Sequence, residues 1–219
     1  SERVSSFVYP GGILAVHSRG RSKDAIWTAL KNKNVYGTSG PRILLWFDLI
    51  NGQEEVPMGS ELAFSENPFF EVRAVGSYKQ LPGCPDYVNN SMSKEEIERL
   101  CLNECYNPTN ERNLIDRIEV IKIIPTENLD ALDDAIQDPW LVFDCIDTGQ
   151  GCLVSFEDKQ FTKDKVSSVY YIRAIQEESL AVGGDPLRCE YNEKGECIKI
   201  KPCYACLLYT SDAADEYSG

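Results

Sequence analysis

The chain has a single histidine, His17, directly after the apolar run Ile13-Leu14-Ala15-Val16. Imidazole is the commonest metal-ligating side chain, so His17 is a candidate metal ligand; the alternative is a buried or capping histidine. Arg19 and Arg21 follow in loop 18–22, where guanidinium groups can meet an anionic substrate. Further on stands Tyr36-Gly37-Thr38-Ser39-Gly40-Pro41-Arg42. Gly37 and Gly40 permit positive φ, so the backbone between them can curl its N–H groups toward one point. Thr38, Ser39 and Arg42 would then face an anion, with Tyr36 at the edge of the same site. The plainer alternative is a helix-to-strand turn with Arg42 in a salt bridge.

Positioning these residues requires a strand over 13–16, a βα loop over 18–22 and a helix over 22–34. Ser22 is a good N-cap, and Ala25, Ile26, Ala29 and Leu30 form one apolar face. Lys31 and Lys33 near the helix end favour its dipole. In a (β/α) barrel, a loop such as 18–22 opens onto the face that carries the active site. After the turn, Ile43-Leu44-Leu45-Trp46-Phe47 reads as a buried strand.

From there the pattern becomes β. Expected strands lie at 42–50, 57–64, 69–77, 117–124, 141–144, 152–156, 168–175, 187–191 and 196–200. Phe70, Val72 and Ala74 alternate with Glu71 and Arg73, which predicts one buried face and one wet face. Short strands at such spacing suggest an antiparallel sandwich. A helical insert interrupts it: Ser93 and Glu96 make a capping box, followed by Ile97, Leu100, Cys101 and Cys105 on one face. Segment 126–137 reads as a short helix or an acidic loop. Its carboxylates lack the spacing of a calcium loop.

Three stretches together, Gly11 to His17, Asp24 to Lys31 and Tyr36 to Ile43, resemble the end of a PHP-type domain. Within that group they resemble the bacterial family known as domain of unknown function 3604. This resemblance extends to Pro57-Met58-Gly59-Ser60-Glu61, Arg117-Ile118-Glu119-Val120 and Tyr170-Tyr171-Ile172-Arg173-Ala174. The resemblance implies an α+β chain: a terminal β/α piece of a metal-dependent hydrolase barrel over 1–41, then a mainly antiparallel β-sandwich over 42–205. It also implies a divalent metal in the full-length parent and none in this piece, with His17 at the edge of the metal site. Thr38, Ser39 and Arg42 would hold developing negative charge. The resemblance implies an unassigned small-molecule substrate, for which PHP relatives suggest a phosphoester. The piece's own partner would be the rest of the barrel. The rival expectation is a non-catalytic exported sandwich that binds or packs.

Composition narrows these options. The formal charge is −13 over 219 residues, which argues against nucleic acid as a partner. No stretch is long and apolar enough to span a membrane. Residues 206–219 resemble a translated sequencing adapter and are set aside as a non-native tail. Neither a nucleophile elbow nor a P-loop is present.

Nine cysteines, one of them in that tail, fit an exported, periplasmic or secreted protein better than a cytoplasmic one. Cys145 with Cys152, and Cys189 with Cys197, bracket turn-forming loops and are expected as local disulfides. Cys84 is expected to pair with Cys101 or Cys105, and the sequence does not choose between them. Cys101 and Cys105 sit one helical turn apart and should not pair with each other.

Overall fold

The computed structural model describes residues 12–52, 54–101, 105–128, 135–146, 149–179, 189–192 and 197–200. The tail at 206–219 and Cys203 lie outside them. Two antiparallel sheets face each other across one core. The first has the order β10-β5-β3-β4, from β3 (Leu44–Asn51), β4 (Glu54–Pro57), β5 (Phe69–Val75) and β10 (Cys152–Glu157). The second has the order β11-β8-β9, from β8 (Ile115–Ile123), β9 (Ile136–Asp144) and β11 (Val169–Gln176). The chain is therefore α+β with a sandwich-like centre, as the alternation predicts.

The core follows from the period of two. Phe70, Val72 and Ala74 of β5 point inward with Leu45, Cys152 and Phe156 of the same sheet. They meet Ile115, Ile118, Val120 and Ile172 of the opposite sheet. Val72, Ala74, Ile118 and Val120 are fully buried. Phe70 joins Phe47, Phe156 and Tyr170 in an aromatic cluster with centroids 4.7–5.3 Å apart.

Before the sandwich comes a small unit: β1 (Ile13–Val16), α1 (Lys23–Lys31) and β2 (Val35–Thr38). The helix is shorter than expected and is capped as predicted, with Ser22 Oγ accepting from the Ala25 amide at 3.2 Å. It ends at Asn32, followed by Lys33 at φ 57°, the left-handed position common after a helix end. β1 pairs antiparallel with β2 over four residues, Val16 opposite Val35 and Ile13 opposite Thr38.

Several expectations need correction. Residues 36–38 are strand rather than turn, because the Val35-Tyr36 pair has strand propensity and β1 supplies the partner. No strand spans 57–64: β4 runs from Glu54 to Pro57 and pairs with Asp48–Asn51. Proline has no N–H to extend that ladder. β9 starts earlier than expected, at Ile136, so residues 136–137 belong to a strand and not to a helix or acidic loop. Two short strands, β6 (Tyr78–Gln80) and β7 (Pro108–Arg112), escaped the sequence reading and pair as a separate ribbon. They bracket the helical insert, α2 (Asp86–Asn89) and α3 (Lys94–Cys101). A last short helix, α4 (Phe161–Asp164), precedes β11.

The insert behaves as its capping box predicts. The Glu96 amide donates to Ser93 Oγ at 3.2 Å, and the Ser93 amide donates back to Glu96 Oε2 at 3.0 Å. Cys84 pairs with Cys105, which settles the choice between Cys101 and Cys105. The Cys145–Cys152 bridge forms and joins the end of β9 to the start of β10, so it ties one sheet to the other. β12 (Cys189–Tyr191) and β13 (Cys197–Ile200) pair antiparallel, with Cys189 opposite Ile200 and Cys197 opposite Tyr191. The side chains of Cys189, Cys197 and Cys101 lie outside the described residues.

Candidate functional site

The nominated residues sit where the β1–α1–β2 unit meets the outer face of β3. A cleft of about 770 Å³ opens there. Its walls include His17 and Arg19 after β1, Asp24, Thr28 and Asn32 of α1, and Trp46 and Asp48 of β3. Arg19 also borders a second, shallower hollow with Ser18, Arg21 and Ile26. His17, Arg19 and Arg21 therefore do share one neighbourhood.

His17 is half-buried and already engaged. Its Nε2 lies 2.8 Å from the Leu45 carbonyl oxygen. A carbonyl only accepts, so Nε2 carries the proton and Nδ1 is left with the lone pair in the neutral ring. The ring also lies 5.4 Å from Tyr36 and 6.0 Å from Trp46, centroid to centroid.

The 36–42 stretch does not converge as an anion cradle would. Tyr36 donates its hydroxyl to the Ile43 carbonyl at 3.0 Å, and burial pushes its ionisation upward. Gly37 lies in β2 opposite Leu14, and Gly40 has the positive φ, 142°. Thr38 sits in the strand with its Oγ1 buried and unpartnered among the described residues, while Ser39 is exposed. Arg42 stacks on the Tyr106 ring at 4.2 Å, a cation–π contact to the helical insert. Arg42, Thr38 and Ser39 are not among the residues lining the His17 cleft.

The residue that sequence reading missed is Asp48. It is an acid inside the apolar run Ile43 to Ile50, and that misfit was the available signal. Asp48 stands on the outer face of β3, directly opposite Glu71 of β5. Burial raises its carboxyl above the ordinary range, Glu55 and Glu71 add to this, and His17 opposes it. Trp46, on the same face, carries the Arg73 guanidinium 5.2 Å from its ring centre.

Among the described residues no three His, Cys, Asp or Glu side chains are grouped to share an ion. His17 brings one lone pair, from Nδ1, which is short of the three or four ligands a catalytic metal needs. The described residues therefore do not make a metal centre by themselves.

A second seam feature involves the 57–61 segment. The Asn34 side chain donates from Nδ2 to the Met58 carbonyl at 2.8 Å, and Lys33 pairs with Glu61. Between them Gly59 adopts φ 86°, and a Cβ there would lie 2.2 Å from the Lys33 carbonyl oxygen. Only glycine fits both demands.

Among the described residues no helix is long and apolar enough to cross a membrane. No curated protein and no solved structure matches the chain. Residues 2–49 match a family described as protein of unknown function (DUF3604), so the β1–α1–β2 unit and most of β3 are similar to that family.

Proposed function

We propose that these residues form the C-terminal part of a PHP-like, metal-dependent hydrolase, of phosphoester type, whose metal shell is supplied elsewhere in the parent. The observation that supports this reading is the stretch similar to the DUF3604 family, which falls on the β1–α1–β2 unit. That unit exposes Ile13, Leu14 and Trp27, apolar surface of the kind a barrel neighbour would cover. In this reading Arg19, exposed beside His17, meets the anionic substrate, and His17 Nδ1 is the metal ligand proposed among the described residues. The two disulfides fit a periplasmic or secreted location. The test is divalent metal content and phosphoester turnover in the parent and in its His17→Ala variant. Loss of metal affinity is expected if Nδ1 is a ligand. Unchanged metal and turnover would remove His17 from the centre, and a parent with neither would end the hydrolase reading.

A second reading is a non-catalytic exported sandwich. Its supporting observation is that Arg42 and Tyr36, nominated for substrate, are both committed to contacts within the fold. A parent that holds no metal and turns over no ester, yet is exported with both disulfides closed, would favour it.

A further inference from the structure

We infer that His17 and Tyr36 act together as a side-chain cap on an open strand edge, and that this cap sets how the β1–α1–β2 unit sits on the sandwich. The inference does not depend on the parent being a hydrolase. β3 has β5 along one edge from Leu44 to Leu49. Along its other edge, β4 pairs with Asp48–Asn51 and stops at Pro57. Ahead of Asp48 that second edge has no strand partner among the described residues. Unpaired edge carbonyls at such a position need donors, and an uncovered edge invites pairing with another chain.

The donors are side chains. Tyr36 Oη donates to the Ile43 carbonyl at 3.0 Å, and His17 Nε2 donates to the Leu45 carbonyl at 2.8 Å. Ile43 and Leu45 are two residues apart, so in extended chain their carbonyls leave on the same side. The two rings stand 5.4 Å apart, and their own positions are linked because Tyr36 pairs with Ala15 and the His17 amide donates to the Asn34 carbonyl at 2.9 Å. The cap is thus one rigid piece: two adjacent strands hold two donors at the spacing of two β carbonyls. Its demand on His17 is specific, because the proton must be on Nε2. His17 is a positioning residue in this role, and the cleft wall formed by Trp46 and Asp48 keeps its shape through it.

Because the chain has one histidine, ¹⁵N spectra of the labelled full chain read this proton without ambiguity. The expected result is the Nε2–H form in the neutral ring, with that proton slow to exchange with solvent. An Nδ1–H form, or a rapidly exchanging Nε2 proton, overturns the cap. Hydrogen exchange by mass spectrometry supplies the second arm. Replacing both donors, His17→Leu with Tyr36→Phe, should speed exchange across 13–38 by about tenfold or more, while 115–123 stays unchanged. His17→Gln, which keeps a donor near the Nε2 position, should recover much of the loss. Equal exchange across 13–38 in the wild type and the double variant refutes the role. Should the double variant fail to fold, the tautomer measured on the wild-type chain still decides.

Discussion

The β1–α1–β2 unit and the sandwich are held by different physics. In the sandwich, Val72, Ala74, Ile118 and Val120 lose all contact with water, and area burial supplies most of the stability. In the unit, α1 buries only Ala29, and Leu14 and Trp27 remain 57% and 58% exposed. What fixes the unit is a short set of directed contacts to backbone: His17 to Leu45, Tyr36 to Ile43 and Asn34 to Met58. Each such bond contributes only about 0.5–1.5 kcal/mol net. The sandwich is thus expected to be the more stable region and the unit the more easily released one, although the candidate cleft needs both.

The sharpest way to break the sandwich is polar rather than apolar. Lys122 projects inward from β8 at the end of the core, and its Nζ lies 2.7 Å from the fully buried Asp158 carboxylate. Tyr170 donates to the same carboxylate at 2.6 Å and the Gln160 amide at 3.0 Å. Asp158→Asn would leave the buried Lys122 ammonium with the more distant Asp164 carboxylate, 3.8 Å away, in place of its 2.7 Å partner, and should cost about 3–5 kcal/mol by urea unfolding. Burial by itself would raise the Asp158 carboxyl, but Lys122, Tyr170 and the Gln160 amide outweigh it and hold it below the ordinary range. Its stabilisation is therefore complete above about pH 3.9, the unperturbed aspartate value, and is lost as pH falls through the lower folded value. The gap between wild type and Asp158→Asn should close in acid.

Replacing Cys145 and Cys152 by serine tests the tie between sheets. A loop this short is worth about 2–3 kcal/mol in the chain-entropy account, and differential scanning calorimetry should report the loss as a lower midpoint. Gly59→Ala tests the seam instead. With φ at 86° and the Lys33 carbonyl in the way, a cost of roughly 1–3 kcal/mol is expected. Hydrogen exchange should place that loss over 13–38 first, and uniform loss across both regions would mean that the unit and the sandwich unfold as one.

Two smaller changes sharpen the contrast. Asp48 faces Glu71 across the ladder, a like-charge pair worth about 0.2–1 kcal/mol of destabilisation. Asp48→Asn should therefore stabilise at neutral pH. The raised carboxyl sets the sign: its penalty appears as pH rises through the folded value, so the gain should vanish in acid. Trp27→Ala, on the exposed side of α1, should change stability by no more than about 0.5 kcal/mol.

How much of this was legible in the sequence follows the same division. Wherever burial decides, local pattern sufficed: the alternation of Phe70, Val72 and Ala74 with Glu71 and Arg73 gave β5 its faces, and the capping box gave α3 its start. Cys145–Cys152 was readable because its loop is short. Wherever a contact joins distant segments, pattern failed. Gly37, Thr38 and Ser39 have turn chemistry, and only pairing with β1 makes residues 35–38 a strand. Arg42 looked available for an anion because Tyr106, far along the chain, is invisible to local reading. Lys122 did leave a trace: a lysine in phase with the inward-facing Ile118 and Val120 requires a buried partner, but nothing local names Asp158.

The Cys145–Cys152 bridge also bears on the order in which the chain assembles. It sits where the chain leaves one sheet and enters the other, and β10 must then find β5, with Cys152 settling opposite Ala74. That pairing joins segments far apart in sequence, and such contacts form slowly because a long loop must close first. The bridge needs only a short loop and can close before it. Once closed under oxidising conditions, it fixes the crossing point and shortens the search left to β10. A reducing environment would leave the same search to a longer free loop.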